Sequence, residues 1–342
     1  MTRAAAGTLT AIVRFLLGAA VVVLALFCAL AIHYWLGWPD RVREIGSFAF
    51  PVAVLALWFV PGAGLWRRWL WRRRAVAAAL IALLMTAYVA KEPIDRDWID
   101  LQAKSPSAVI DGDRATIVNF RDAVHRPGEP SEVRWTTETF DLAQLTGVDL
   151  IIQPFGGVKA LAHVMLSFGF ADGRHVVVSI EARRVKGGRF DALAGLFRHD
   201  QIYPELGTER DLFWQRLARV PPDEIQIYPI LAPQAAMRAY FERLLAFVNE
   251  VDARPRFYST LRESCMTTLM NLAPESFMPV PWHDVRRWVP GYSLSLFQQL
   301  GLVDSSVSAE TLRQSRRLRD GVTAPWHFPS DAAWSAYLRK DF

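Results

Sequence analysis

The sequence predicts an α+β protein in which three N-terminal transmembrane helices precede a domain built on an antiparallel sheet. Two observations lead to this prediction. The first 91 residues contain three long apolar stretches, and short β-type runs alternate irregularly with helix-type runs over the rest of the chain. The 342 residues, of which 52% are hydrophobic and 21% charged, are enough for one or two domains with a sizeable core, and they exclude a disordered chain.

Membrane helices are predicted over about residues 11–36, 45–65 and 72–91, so that residues 1–91 form a membrane region. A bilayer core needs about 20 apolar residues per helix, and the first two stretches supply them. The third stretch is uncharged only between Ala75 and Ala90. It therefore has to include flanking residues or lie where the bilayer is thin.

The charge distribution predicts how these helices are oriented. Residues 1–91 carry ten Lys and Arg and two acidic residues, whereas residues 92–342 carry 29 and 32. A nucleic-acid-binding protein would carry the basic excess on its folded domain, so no nucleic-acid partner is expected. Five arginines lie within residues 67–74, and the positive-inside rule places this segment and the N-terminus in the cytoplasm. Three spans then predict a multi-pass protein of the inner membrane whose C-terminal domain lies in the periplasm.

A cleavable signal over residues 1–31 is the alternative for the first stretch. Ala29-Leu30-Ala31 matches the small-residue pattern of a cleavage site. This alternative leaves the domain on the same side of the membrane.

The domain after the membrane region is predicted to extend over residues 92–272, with residues 273–342 as a Trp-, Arg- and Pro-rich extension packed on it. Runs rich in Val, Ile and Phe predict strands at 116–120, 148–153, 160–170, 175–184 and 224–231. Helices are predicted at 190–197, at 235–251, from Ser264-Cys265 to about Asn271, and at 308–319. Asp172-Gly173 predicts a hairpin turn between two of the strands.

Several sequence motifs of enzymes are missing from the chain. It contains no GxGxxG, GxxxxGK[ST], GxSxG, HExxH or CxxC pattern. The chain therefore lacks the usual sequence motifs of nucleotide-binding proteins, zinc proteases and α/β-hydrolases. Neither a cofactor nor a metal is expected.

Cys265 is the candidate nucleophile. The other cysteine, Cys28, lies within the first apolar stretch, so a disulfide between the two is not expected. A single thiol in an oxidising compartment is unusual, although a buried cysteine also occurs as a small hydrophobic residue. Ser264 offers an N-cap, which makes Cys265 the first residue of the predicted helix. The helix dipole at that position favours thiolate over thiol.

His163 is the candidate base for this thiol. It lies on the apolar run 160–170, where a charged imidazole without a partner would be costly. A structural histidine with satisfied hydrogen bonds is the alternative. Four hydroxyl side chains are predicted to contact substrate: Ser167, Ser179, Ser264 and Thr267.

A third group must orient the imidazole, and Glu181 is the first candidate, with Ser179 as the second. A two-residue turn at Asp172-Gly173 would face Glu181 away from His163. A one-residue bulge would instead place the two side chains diagonally on one face of the sheet. The sequence leaves both registers open.

Eight short segments carry a resemblance to a known family: Asp95–Trp98, Val118–Arg121, Ala162–Gly173, Ser179–Arg183, Gly195–Arg198, Glu209–Asp211, Ile227–Pro229 and Phe257–Thr268. In order and spacing they resemble the exported N-terminal domain family of the lipoprotein N-acyltransferase Lnb, a papain-like group in which the catalytic His precedes the Cys. The resemblance covers about residues 92–272. It implies a permuted papain-like domain with His163 as the base and Cys265 as the nucleophile.

These observations predict a membrane-anchored thiol acyltransferase or acyl hydrolase that acts on a lipid ester. By resemblance, the N-terminal amine of a diacylated lipoprotein would receive the acyl chain. The expected partners are therefore the membrane and the acyl groups of phospholipids or lipoproteins, and the oligomeric state is not predicted.

Two alternatives remain open. A cell-wall amidase or cysteine peptidase of the same fold would need a polar peptide cleft. A non-enzymatic envelope protein would have Cys265 and His163 far apart or both buried.

Overall fold

The computed structural model describes residues 3–35, 37–60, 69–274, 278–318 and 321–342, and for residues 3–6 the backbone alone. The chain divides into two compact units. The first consists of Met1–Pro93 and Leu193–His199, and the second of Ile94–Ala192 and Asp200–Phe342.

The first unit contains the helices α1 (Arg3–His33), α2 (Asp40–Phe59) and α3 (Leu70–Val89). Large apolar side chains of these helices are exposed, for example Phe15 at 74% and Phe48 at 77%. Such exposure is costly in water and ordinary in lipid, so it agrees with a membrane environment.

Among the described helices, the segments Gly7–His33 and Asp40–Phe59 are long and apolar enough to cross a membrane. α3 is not apolar enough over its length, because Arg72, Arg73 and Arg74 lie in its first turns. The predicted count of three spans is therefore not confirmed. Parts of these predictions lie outside the described residues: residue 36 of the first predicted span, residues 61–65 of the second, and residues 67 and 68 of the basic segment.

Residues 193–199 pack within the first unit. Phe197 is buried together with Ala31 and Tyr88, and Lys91 Nζ donates to the carbonyl of Arg198 at 2.8 Å. The predicted helix over 190–197 is reduced to one 3₁₀ turn, Ala194–Leu196.

The second unit is built on a nine-stranded, largely antiparallel sheet, which confirms the predicted α+β class. The strands are β1 (Ser107–Asp111), β2 (Arg114–Arg121), β3 (Trp135–Asp141), β4 (Leu145–Pro154), β5 (Ala162–Phe170), β6 (His175–Ala182), β7 (Ile202–Gly207), β8 (Ile225–Pro229) and β9 (Arg317–Leu318). Their order is β1-β2-β7-β6-β5-β4-β8-β9, and β3 also pairs with β2.

Helices cover both faces of this sheet. They are α4 (Glu209–Leu212), α5 (Trp214–Leu217), α6 (Gln234–Ala253), α7 (Cys265–Leu272), α8 (Ser293–Gln299), α9 (Ala309–Ser315) and α10 (Asp331–Leu338). α6 and α7 pack on the face that carries Val164 and Leu166, while α4, α5 and α10 pack on the face that carries Met165. β5 is consequently buried on both sides, which explains its nearly continuous apolar sequence.

β7 is not among the predicted strands, and Pro204 lies inside it although proline lacks the amide that a sheet needs. Pro204 is accommodated by its position. The amide of Ile202 points away from β6 and donates to the carbonyl of Arg256 at 2.9 Å, and Pro204, two residues later, faces the same way. On that side β7 pairs with β2 only at Gly207, so the proline removes no hydrogen bond of the ladder.

The extension after α7 is tightly packed at Gly291. The Gly291 amide donates to the carbonyl of Ala160 at 3.1 Å, and a Cβ atom built at this glycine would lie 1.9 Å from the carbonyl oxygen of Lys159. Only a residue without a side chain fits there. This contact fixes the extension against the segment that leads into β5.

We expect Gly291→Ala to destabilise the second unit by about 2 kcal/mol or more, because the clash is with backbone that cannot rotate away. The measurement is urea unfolding of the full chain in detergent, followed by tryptophan fluorescence. Gly147→Ala in β4 is the matched control, since a Cβ there meets nothing within 4 Å. Equal stability of the two variants would show that the extension is not held at Gly291.

Candidate functional site

Cys265 is the first residue of α7, as the sequence predicts. The Ser264 Oγ accepts from the Thr267 amide at 3.3 Å, and the Thr267 Oγ1 accepts from the Ser264 amide at 2.9 Å, so the two residues form a capping box. Both side chains are therefore engaged with the backbone of the helix end. Ser264 also lines the cavity described below, whereas Thr267 does not.

The register between β5 and β6 differs from both registers that the sequence left open. Met165 pairs with Ser179 and Gly169 with His175, which requires a three-residue turn, Ala171–Gly173. Gly173 adopts a φ of +80°, and the Asp172 carboxylate accepts from the Arg174 amide at 2.9 Å. Continuing this register puts Glu181 directly opposite His163, neither diagonal to it nor facing away.

His163 has two polar partners at one end of its ring and the Cys265 thiol close enough to influence its pKa. Its Nε2 lies 2.7 Å from Ser179 Oγ and 3.0 Å from Glu181 Oε1. Because Nε2 is held by Ser179 and Glu181, Nδ1 is the nitrogen left for the thiol. Burial lowers the pKa of His163, but the charges of Glu181 and Cys265 outweigh it and raise the pKa to about 10.

Glu181 is the negative partner in this contact. Burial raises its pKa, but the charges of His163 and Arg216 and the hydrogen bond from the Ser179 hydroxyl, at 2.8 Å, bring it well below its ordinary value. The carboxylate is therefore ionised at neutral pH. Ser179 and Glu181, predicted as alternatives for the third group, both bind Nε2 in the structure.

Arg216 is a component of the site that the sequence analysis missed. It donates to Glu181 Oε1 at 3.0 Å, to Gln153 Oε1 at 2.6 Å and to the Leu212 carbonyl at 2.6 Å, and it is only 4% exposed. Gln153 lies on β4 directly opposite His163 and also donates to Asp223 at 2.7 Å. The available signal was an arginine between Trp214 and Leu217, since a cation in an apolar segment needs a buried acidic partner.

Ser167 lies apart from this site. It is on the same face of β5 as His163 but four residues further along, roughly 13 Å away. Its hydroxyl donates to Glu209 Oε1 at 2.5 Å. The predicted contact of Ser167 with substrate therefore has no counterpart near Cys265.

Asp149, His175 and Glu209 form a second polar cluster near Ser167, with one ligand atom each within 4.8 Å of one another. The Arg339 guanidinium donates to Asp149 at 2.7 Å and to Glu209 at 2.5 Å. This guanidinium already supplies the positive charge that two carboxylates attract. The donor set therefore fits an internal ion pair better than a metal ion.

Cys265 and His163 line one cavity of about 560 Å³ in the second unit. Glu181, Arg216 and Tyr258 also line it, and apolar side chains make up much of the remaining wall: Phe155, Leu161, Ala162, Ile180, Phe190, Trp288 and Pro290. Trp288 and Pro290 come from the C-terminal extension. The cavity is thus large enough for part of a ligand, and it contains the thiol, the imidazole and the carboxylate together.

A comparison with protein families finds a family model that matches part of the chain. Residues 131–291 match the family model of the Lnb N-terminal periplasmic domain, which confirms the resemblance stated from the sequence. The match includes residues 273–291, beyond the range over which the sequence resemblance was drawn. No curated protein and no solved structure matches the chain significantly. Together with the apolar N-terminal helices, the family match indicates a membrane-associated protein with a periplasmic domain.

The raised pKa of His163 predicts a pH-dependent contribution to stability. The folded-state pKa lies above the unfolded value of about 6.5, so the stabilisation is fully present below that pH and is lost as pH rises through about 10. We expect the difference in unfolding free energy between the wild type and His163→Ala to shrink over this range. Urea unfolding at several pH values measures it, with the exposed His283→Ala as control. A difference that does not change with pH would contradict the assignment of the charge to His163.

Substitution of Arg216 tests the support of Glu181. We expect Arg216→Gln to destabilise the second unit by about 3 kcal/mol, because it removes the buried arginine partner of Glu181 and leaves the carboxylate with His163 alone as a cation. Arg219→Gln is the matched control, since its pair with Asp223 is half-exposed and worth less than about 1 kcal/mol. Urea unfolding compares the two, and equal losses would show that Glu181 does not depend on Arg216.

Proposed function

We propose that this chain, whose residues 131–291 match the Lnb N-terminal periplasmic domain family, is a membrane-anchored thiol acyltransferase or acyl hydrolase that acts on a lipid ester. Cys265 is the nucleophile, His163 is the base, and Glu181 with Ser179 orients the imidazole. The proposal includes a papain-like arrangement of the domain and a multi-pass location in the inner membrane with the domain in the periplasm.

One observation carries this proposal. A thiol at the start of a helix, an imidazole and a carboxylate line one cavity; the thiol and the carboxylate raise the pKa of the imidazole, and the carboxylate and the Ser179 hydroxyl hold its Nε2. This is the arrangement of nucleophile, base and orienting group that covalent catalysis requires. A structural histidine needs a hydrogen-bonding partner but does not need a thiol and a cavity beside it.

The reaction begins from the ion pair in which the Cys265 thiol proton has already passed to His163, as the raised pKa of the imidazole favours, and the thiolate sulfur attacks the ester carbonyl carbon. The backbone amides at the start of α7 stabilise the oxyanion. The tetrahedral intermediate then collapses: its carbon–oxygen bond breaks, the imidazolium gives its proton to the departing alcohol, and a thioester remains on Cys265. An amine or water attacks this thioester, His163 takes its proton, and the thiolate leaves. The products are an amide or a carboxylic acid.

The cavity wall supports a lipid substrate over a peptide. Phe155, Leu161 and Phe190 are 38–48% exposed although they are large and apolar, as expected of side chains that receive an acyl chain. Several of the polar side chains on the wall are engaged with protein groups, for example Gln153 with Arg216 and Asp223. A peptidase or amidase would need free polar groups to bind the peptide backbone. The acceptor that the family suggests is the N-terminal amine of a lipoprotein.

Replacement of the nucleophile or the base tests the reaction. We expect Cys265→Ser and His163→Ala each to lower acyl transfer by at least about 10²-fold while far-UV circular dichroism stays unchanged. The assay incubates the full chain in detergent with a radiolabelled phospholipid and measures hydroxylamine-sensitive label on the protein. Cys28→Ala, which changes the other cysteine, is the matched control. Wild-type protein that takes up no label, or label that persists in Cys265→Ser, would reject the mechanism.

A further inference from the structure

Arg184 is a charged residue of the cavity wall that the site described above does not use. The wall contains three arginines: Arg184, Arg216 and Arg219. Arg216 is bound to Glu181, and Arg219 Nη1 lies 2.6 Å from Asp223 Oδ2. The guanidinium of Arg184 has no hydrogen bond, ion pair or aromatic contact within the part of the chain that the structure describes. The hydrogen bonds of this residue are made by its backbone: its amide donates to Gln102 Oε1 at 2.7 Å, and its carbonyl accepts from the Ile99 amide at 3.0 Å.

The other arginine and glutamate side chains on the wall each have an oppositely charged partner: Glu181 pairs with Arg216, Glu205 with the fully buried Arg121, and Arg219 with Asp223. Within the part of the chain that the structure describes, Arg184 is thus the arginine of this wall without an acidic partner. An arginine on a cavity wall binds phosphate or carboxylate oxygens well, because its planar group offers a fork of donors.

We propose that Arg184 binds the phosphodiester of a phospholipid substrate; this inference rests on the proposed acyl-transfer function. Arg184 follows Glu181 by three residues in extended chain, where the Arg183 amide donates to the Gln201 carbonyl at 2.8 Å, so the two positions are separated by roughly 10 Å. In a glycerophospholipid five or six covalent bonds, roughly 6 Å, separate the phosphorus from an ester carbonyl carbon. A guanidinium bound to the phosphate adds about 3 Å. The phosphate-to-carbonyl length of a phospholipid is thus of the same order as the separation between Arg184 and Glu181, which holds His163 on the same cavity wall as Cys265.

The test compares an anionic and a neutral thiol reagent on the same cysteine. Iodoacetate and iodoacetamide both alkylate Cys265, and the ratio of their rates measures how strongly the cavity attracts an anion. The full chain is used in detergent with Cys28 replaced by Ala, so that the label reports on Cys265. We expect Arg184→Gln and Arg184→Met to lower the iodoacetate/iodoacetamide ratio by about threefold to tenfold. Arg184→Lys keeps most of the ratio, because it keeps the charge.

Arg254→Gln is the matched control, since it removes the same charge from an exposed position that is not on the cavity wall. An unchanged ratio in both neutral Arg184 variants, or an equal fall in Arg254→Gln, would overturn the proposal. If Cys265 of the wild type reacts rapidly but the rate ratio does not depend on Arg184, the phosphate site is wrong and the acyl-transfer function is unaffected. A wild-type Cys265 that neither reagent labels would overturn the acyl-transfer function as well.

A second arm identifies the source of the anion. Dihexanoylphosphatidylcholine, dihexanoylglycerol and inorganic phosphate are each used to protect Cys265 from iodoacetamide. We expect the phospholipid to protect at a concentration at least about tenfold lower than the glyceride, and Arg184→Gln to abolish this difference. Protection by inorganic phosphate that equals protection by the phospholipid would show a site for free phosphate and overturn the lipid assignment.

Discussion

The candidate site depends on a row of three polar groups, one buried and two partly buried: the guanidinium of Arg216, the imidazole of His163 and the carboxylate of Glu181. Each group alone would be costly inside an apolar domain. Together they stabilise one another, because the Glu181 carboxylate contacts both cations, His163 and Arg216, at 3.0 Å. The same contacts hold Nε2 of the imidazole and leave Nδ1 for the thiol. Burial and pairing thus shift the pKa values of His163 and Glu181 in opposite directions, and pairing has the larger effect on both.

The fold provides these contacts through neighbouring strands and helices. β4, β5 and β6 place Gln153, His163 and Glu181 side by side in one row of the sheet, and α5 adds Arg216 from above that face. α7 brings Cys265 to the end of the same strands, and its capping box fixes where the helix begins. The nucleophile therefore comes from one element and its base from another, and a sheet buried on both faces holds them in position.

The C-terminal extension is part of the same arrangement. Trp288 and Pro290 line the cavity, and Gly291 brings the extension against the carbonyl of Ala160 just before β5. The family match ends at residue 291, at this contact. The extension thus contributes apolar wall to the cavity, and this contribution agrees with a ligand that has an apolar part.

The sequence by itself determined the features that depend on local pattern. These are the apolar helices at the N-terminus, the strands that later proved to be β4, β5 and β6, and the helix that begins at Cys265. Each follows from residues close together in the chain, because periodicity and capping act over one or two turns. The choice of His163 also came from a local signal, an imidazole within an apolar strand.

Only the tertiary structure decided the rest. The hairpin register depends on whether the turn has two or three residues, and one residue more or less moves Glu181 to another place relative to His163. Arg216 reaches Glu181 from 35 residues away in the chain, and Arg184 stands out only once the partners of the other cavity arginines are known. Contacts of this kind depend on packing between distant segments, and no local pattern in the sequence encodes them.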